Sequence, residues 1–277
     1  MSMQRPYPAA LSPDGGVIQP RKFEFEHLES VPQRWFADNP ILTHIENAFS
    51  ILIPPGERFF IRAVRNYEEQ VDDPQTRDAI RAFVQQEGLH MRAHKELNAS
   101  FKRFGVDVDR EVAYAERTFA WIEEKVPRKI QLGMTAFLEH ITATGAHMLF
   151  MEPLVAELMH PQMLEFWRWH AVEELEHKSV AFDVFEKVGG GYLTRVASAV
   201  AAVVLLARPF DRIARRMVKS DSRAVTSEDR RTARKVNGVL LGRQIRLVAQ
   251  YFKPGFHPSD FDDTKYLAEW YASAEAV

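Results

Sequence analysis

Glu87-Gly-Leu-His90 and Glu174-Leu-Glu-His177 are the two stretches that decide the reading of this chain. On a helix, residues three apart share a face, so each stretch aims a carboxylate and an imidazole at one point. One such tetrapeptide is commonplace and more often a solvated pair than a metal site. Two of them, each in the middle of a long helical pattern, carry more weight. The other residues on each face are apolar or small, which turns the face inward.

A two-metal carboxylate bundle needs two further Glu, one from each of the remaining helices. Glu57 precedes the first motif. Glu139, in Thr135-Ala-Phe-Leu-Glu139, precedes the second on an apolar helix and is expected to bridge two ions. The order is Glu, Glu-x-x-His, Glu, Glu-x-x-His. Gaps of about 30 residues within each half suit adjacent antiparallel helices, and the central gap of about 50 suits a crossover with an extra helix. His170 lies four residues before Glu174, so His170, Glu174 and His177 fall on one stripe. His170 is a candidate third imidazole ligand. Oxygen-rich sites with some imidazole suit Fe and Mn.

These residues resemble known families. The four-helix order is similar to the ferritin-like di-iron superfamily. The His-x-x-x-Glu-x-x-His variant resembles the p-aminobenzoate N-oxygenase group, with its third His on the last ligand helix. Pro55-Gly-Glu-Arg-Phe-Phe, Gln86-Glu-Gly-Leu-His90, Glu173-Glu-Leu-Glu-His177-Lys and Pro254-Gly-Phe-His-Pro258 look more like a bacterial family labelled "predicted metal-dependent hydrolase". That last resemblance covers most of the chain after residue 20. The ferritin-like resemblance implies an all-α, ferritin-like four-helix bundle with additional helices. The resemblance to the N-oxygenase group implies a metal set of Glu57, Glu87, His90, Glu139, His170, Glu174 and His177, holding two iron ions, or Mn, or a mixed pair. The label implies hydrolysis, although no hydrolase machinery stands out in the residues.

Composition sets outer limits. The 277 residues are 46% hydrophobic and 27% charged, enough to bury a sizeable core. There is no cysteine, so disulfides, iron–sulfur clusters and Cys-ligated zinc are excluded. That fits a reducing cytoplasm. Residues 1–20 scatter Pro and Gly without an apolar h-region; they read as a flexible arm, not a signal peptide. Residues 21–191 read as the metal-binding bundle, and 192–277 as C-terminal helices packed on it.

Proline and glycine punctuate the helices. Expected helices start at Pro54-Pro55, near Pro74 (ending by Gly105), at Arg110, after Pro127, at Pro161 (ending by Gly189), at Tyr192 and at Thr226, with a short one in the tail. The longest apolar run, Val196 to Ala207, is about a dozen residues, short of the roughly 20 a bilayer span needs. Between Arg208 and Arg246 stand twelve Lys and Arg against four Asp and Glu. An apolar stretch with a basic end could lie on an anionic membrane and feed an apolar substrate. A helix covering the bundle, with a solvated basic end, is the favoured reading. No nucleic-acid motif accompanies it.

Plainer readings stand beside the sharp ones. His170 could be a core His bonded to a carbonyl. Glu57 near a helix start would also be favoured by the helix dipole. Glu173 and Glu176 are expected to face solvent or to pair with Arg and Lys. His94 reads as a surface His or as a partner of a ligand carboxylate, and Asp183 as a partner of a ligand His. His140 and His147 read as structural. Small residues near Glu139, among them Ala136, Ala143 and Ala146, leave room for substrate or let helices pack closely. The chemistry expected first is an oxidoreductase: an O2-dependent oxygenase or oxidase of a small or apolar molecule, with an electron donor the sequence does not name. The alternatives are a two-metal hydrolase and a non-catalytic metal-binding protein.

Overall fold

The computed structural model describes residues 9–12 and 15–275. Ten α-helices dominate the described residues: α1 Pro40–Arg65, α2 Pro74–Ser100, α3 Val108–Lys125, α4 Arg128–Met151, α5 Pro153–Leu158, α6 Pro161–His177, α7 Val180–Lys187, α8 Tyr192–Ser220, α9 Ser227–Val248 and α10 Thr264–Glu275. A two-stranded hairpin, Ala10–Leu11 with Val17–Ile18, precedes them. The fold is an all-α bundle. Residues 1–8, 13 and 14 of the expected arm lie outside the described residues. The described remainder departs from a flexible arm: Ile18 is fully buried, and the Gln19 and Arg21 N–H groups donate to Glu176 and Glu173 at 2.8 and 2.7 Å.

The first helix starts well before the expected Pro54. Asn39 caps it, its side-chain oxygen accepting from Ile41 and Leu42 N–H, and Pro40 fills the first turn. Pro54 and Pro55 therefore sit inside α1. Pro54 has no N–H to give the Ser50 carbonyl one turn back. The Asn98 side-chain amide on α2 donates to that carbonyl instead, at 2.9 Å. Cross-helix capping of this orphan carbonyl supports the helix through Pro54. Two smaller differences follow. The helix expected from Pro161 to Gly189 breaks at 178–179 into α6 and α7, where Lys178 donates to Asp263 at 2.6 Å. The short α5 was not expected.

Apolar residues form two large clusters along the helices. One gathers Phe59, Phe83, Phe137, Phe182 and Phe185; the other gathers Leu42, Leu97, Phe166, Trp169 and Met217. In α1, α2, α4 and α6 the seven candidate ligands fall between them. α8 packs along α1 and α4 and contributes to both clusters through Ala199, Ala202, Ile213 and Met217. A Cβ at Gly133 of α4 would run into Ser198 of α8, so that glycine sets their close approach. Part of the basic excess is spent inside the fold: Arg212 and Arg216 meet Glu111, and Arg243 meets Glu152. The apolar run belongs to the longer α8, which by length and composition is apolar and long enough to cross a membrane and is mostly unburied over its apolar part.

Asn98→Ala should cost about 1–3 kcal/mol, as an unsatisfied buried carbonyl does, read by urea denaturation. In a Pro54→Ala background the restored N–H can serve Ser50, and the cost should shrink. An equal cost in both backgrounds would remove Pro54 from the explanation.

Candidate metal centre

The structure brings all seven candidates together, all buried, in two adjoining groups. Glu57, His90, His170 and Glu174 form one; Glu87, Glu139 and His177 form the other, and within each group ligand atoms lie within 4.8 Å of one another. His90 Nδ1 is 3.4 Å from Glu57 and 3.7 Å from Glu174 Oε1. His170 Nε2 is 3.0 Å from the same Oε1. His177 Nε2 is 3.1 Å from Glu139, 3.2 Å from Glu87 and 3.5 Å from Glu174 Oε2. Glu174 thus turns one oxygen to each group. Glu174, rather than Glu139, would therefore stand between two ions; Glu139 belongs to the second group alone. Glu57 lies deep in α1 rather than at a helix start, so the dipole explanation fails for it.

The outer contacts fix which ring nitrogens are bare. Asn98 donates its amide N–H to the Ser50 carbonyl, so its oxygen accepts the Ser50 hydroxyl at 2.7 Å. With that proton committed, Ser50 Oγ accepts from His94 Nδ1 at 2.8 Å. His94 Nε2 is then an acceptor for His170 Nδ1–H at 3.3 Å. His170 Nε2 is left as a lone pair facing Glu174. The second chain is shorter. Gln86 donates its amide to Glu176 at 2.7 Å, so its oxygen accepts from His177 Nδ1–H at 2.9 Å and His177 Nε2 is bare. His90 turns Nε2 to Glu173, 3.1 Å away, and Nδ1 inward. For His170 and His177 an outer hydrogen bond orients the ring, as ligand histidines require; His90 lies close to Glu173 without a hydrogen bond to it.

Arg21 closes this outer layer. Its guanidinium donates to Glu176 at 2.6 Å and lies 3.6 Å from Glu173. Tyr271 also donates to Glu176. Glu173 and Glu176 are therefore buried and paired with Arg21, not exposed. His94 is buried and bonds a ligand His rather than a carboxylate. Asp183 is not a partner of a ligand; it accepts from His257 at 2.9 Å. His147 faces Asp263 at 2.6 Å, and His140 Nε2 lies 3.4 Å from the Leu247 carbonyl. Of the small residues on α4, Ala136 packs in a core cluster, while Gly145 and Ala146 line a cavity that reaches His170 and Glu174. Arg21 and Gln86 escaped the sequence reading as functional residues. Gln86 stood in plain view beside Glu87, but only its Glu176 contact gives it a role.

The donors present fit metal ions. Neither oxygen of Glu57, Glu87 or Glu139 has a hydrogen-bond partner among the described residues, nor do His170 Nε2, His177 Nε2 or Glu174 Oε2. Buried polar atoms without partners are costly. Burial, then neighbouring carboxylates, push Glu57 and Glu87 well above the ordinary carboxylate range. Burial raises Glu139 to about 7. Without an ion, Glu139 and Glu174 favour a proton on His177 against its own burial; an ion would take that proton's place and leave the ring neutral. Among the described residues no Lys or Arg pairs with these four carboxylates, and a cation in each group would supply the missing partner.

A family model described as "Predicted metal-dependent hydrolase" matches residues 19–262, and the chain belongs to that family. Nothing matches among curated proteins or solved structures. The family corrects the expected enzyme class. The oxidoreductase reading rested on the donor set, and the same carboxylates and imidazoles serve metal-dependent hydrolysis; the family names the latter.

Gln86→Leu should leave His177 Nδ1–H unpartnered and weaken metal binding by about 10–100-fold, the usual effect of losing such a partner. Chelator competition on the folded variant checks it. Unchanged affinity would make Gln86 a packing residue.

Proposed function

We propose that this chain is a cytoplasmic two-metal hydrolase acting on an ester or phosphate ester of a small or apolar molecule. The observation that carries the reading is the pair of buried donor groups joined through the two oxygens of Glu174, with no proton donor aimed into either. Glu57, His90 and His170 would hold one cation and Glu87, Glu139 and His177 the other, with Glu174 between them. Four carboxylates against neutral imidazoles carry four negative charges, which two divalent cations balance. Iron, or manganese, suits this oxygen-rich set, and the order of ligands along four helices supports a ferritin-like centre.

Bound at these positions, two cations would polarise the scissile carbonyl or phosphoryl oxygen and lower the pKa of a water. The chain's own contribution is positional. Gln86 and His94 hold the His177 and His170 rings with a bare nitrogen inward. Phe83 and Trp169 pack edge-on against His177 and His90, with ring centroids 5.0 and 5.1 Å apart, and keep bulk water from the inner side. The cavity lined by Gly145, Ala146 and Ala171 leaves access from the other side.

The protein should carry about two metal ions per chain and hydrolyse p-nitrophenyl esters or phosphates in the absence of air. A chelator should abolish the activity. Glu174→Ala should lose both ions, and Glu139→Ala mainly one. Hydrolysis indifferent to chelator, or one ion per wild-type chain, would sink the reading.

We also propose that the outer stripe of α8 meets an anionic bilayer. Leu193, Val200 and Val204 are exposed at 81, 52 and 68%, and Arg208 follows them on the same face. The protein should sediment with phosphatidylglycerol vesicles at low salt, and Val204→Asp with Arg208→Glu should abolish this. Equal sedimentation of the double variant would assign the stripe elsewhere.

A further inference from the structure

The cavity that ends at His170 and Glu174 measures about 530 Å³ and is bounded by α1, α4, α5, α6, α8 and α9. That is the size range of small-molecule sites. Phe49, Leu149, Met159, Trp167 and Phe210 make its walls apolar. Leu241 lines it too and is 56% exposed, so the chamber opens beside α9. No Lys or Arg lines it. Its carboxylates are Glu174, at the metal centre, and Glu46.

Glu46 has no part in the centre. It stands eleven residues before Glu57 on α1, about 16 Å along the helix axis at 1.5 Å per residue. Among the described residues its carboxyl makes no hydrogen bond or ion pair. Burial among the chamber's apolar walls raises its pKa to about 7. Glu46 is half-buried at the chamber wall, and nothing in the packing of α1 calls for a carboxylate there: its neighbours Ile45 and Phe49 face the same chamber. A ligand that brings a positive charge to this end would complete the pair. A ligand ending in a carboxylate would meet like charge with no base to offset it.

We propose that the chamber binds a long apolar molecule with an ammonium group at its outer end, that Glu46 receives the ammonium, and that the hydrolysable bond lies at the His170–Glu174 end. The position of that bond rests on the two-metal hydrolase reading. The ligand's shape and charge rest on the chamber alone. The substrate class is then an ester or phosphate ester of an apolar amine. Glu46 is a specificity residue, remote from the reacting atoms. Thr142, Asn237 and Gln244 also line the chamber and offer neutral hydrogen bonds along its length.

The test uses the full chain, with and without metal, titrated with decylammonium, 1-decanol and decanoate. Calorimetry and tryptophan fluorescence read binding, Trp167 being part of the wall. Decylammonium should bind one equivalent at least about tenfold tighter than decanol, as a charge-assisted pair does over a neutral one, and decanoate should bind most weakly. Glu46→Gln keeps the shape and removes the charge. It should bring decylammonium down to the decanol level and leave decanol unchanged. Gly145→Leu is a second variant. A Cβ at Gly145 meets only Gln244 Nε2, at 3.6 Å, so the helix tolerates a side chain that narrows the chamber. It should weaken all the decyl ligands together. No preference for the ammonium in the wild type, a preference that survives Glu46→Gln, or binding indifferent to Gly145→Leu would each overturn the proposal. If the hydrolase reading alone fails, the ammonium preference persists without chelator-sensitive turnover. If this proposal alone fails, turnover persists without the preference.

Discussion

Four carboxylates, Glu57, Glu87, Glu139 and Glu174, converge in the middle of the bundle with no cationic side chain among them. Most of the architecture answers to that. Buried charge of one sign is tolerated only when paired or when it holds a metal. The apolar clusters above and below supply the stability that lets a layer so unfavourable on its own persist between them. The same clusters keep the helices from sliding, so the oxygens stay within reach of common ions.

The outer layer solves a second problem, that of proton placement. An imidazole can ligate only through a nitrogen without hydrogen, and in a neutral ring the other nitrogen must then be a donor. His170 reaches that state through a relay that begins with a missing N–H at Pro54 and passes through Ser50, Asn98 and His94. His177 reaches it through Gln86 and Glu176. Arg21 is the counter-charge for Glu173 and Glu176, which sit outside the two groups. The segment carrying Arg21 is thereby tied to α6, and the N-terminal residues become part of the support of the centre rather than an arm beside it.

Helical spacing made the ligand stripe legible in the sequence. Glu87 with His90, and His170 with Glu174 and His177, share faces whatever their tertiary surroundings. Helix ends marked by a single Pro or Gly, at Pro74, Gly105 and Pro127, were legible for the same local reason. Pro54-Pro55 misled because the local rule holds only where the freed carbonyl has no other donor, and Asn98 lies 44 residues further along the chain. Glu173 and Glu176 misled similarly: their partner, Arg21, lies about 150 residues away. Glu46 was invisible, since an isolated Glu on an amphipathic helix looks like any solvated residue until a cavity forms around it. Reaction class was not legible at all. It depends on what reaches the ions, and the ligand pattern is silent on that.

What reaches the proposed centre is constrained by where the chamber meets it. The cavity touches His170 and Glu174, the side richer in imidazole. His90 and His170 are neutral donors, so an ion between them and the carboxylates of Glu57 and Glu174 would keep more of its positive charge than one held by Glu87, Glu139 and a single His. The ion with more residual charge is the better Lewis acid. It would also lie on the side from which a substrate arrives. As a ligand His170 would therefore do more than add a donor: it would turn the electrophilic face of the proposed centre toward the cavity that reaches it, and away from the aromatic packing of Phe83 behind His177.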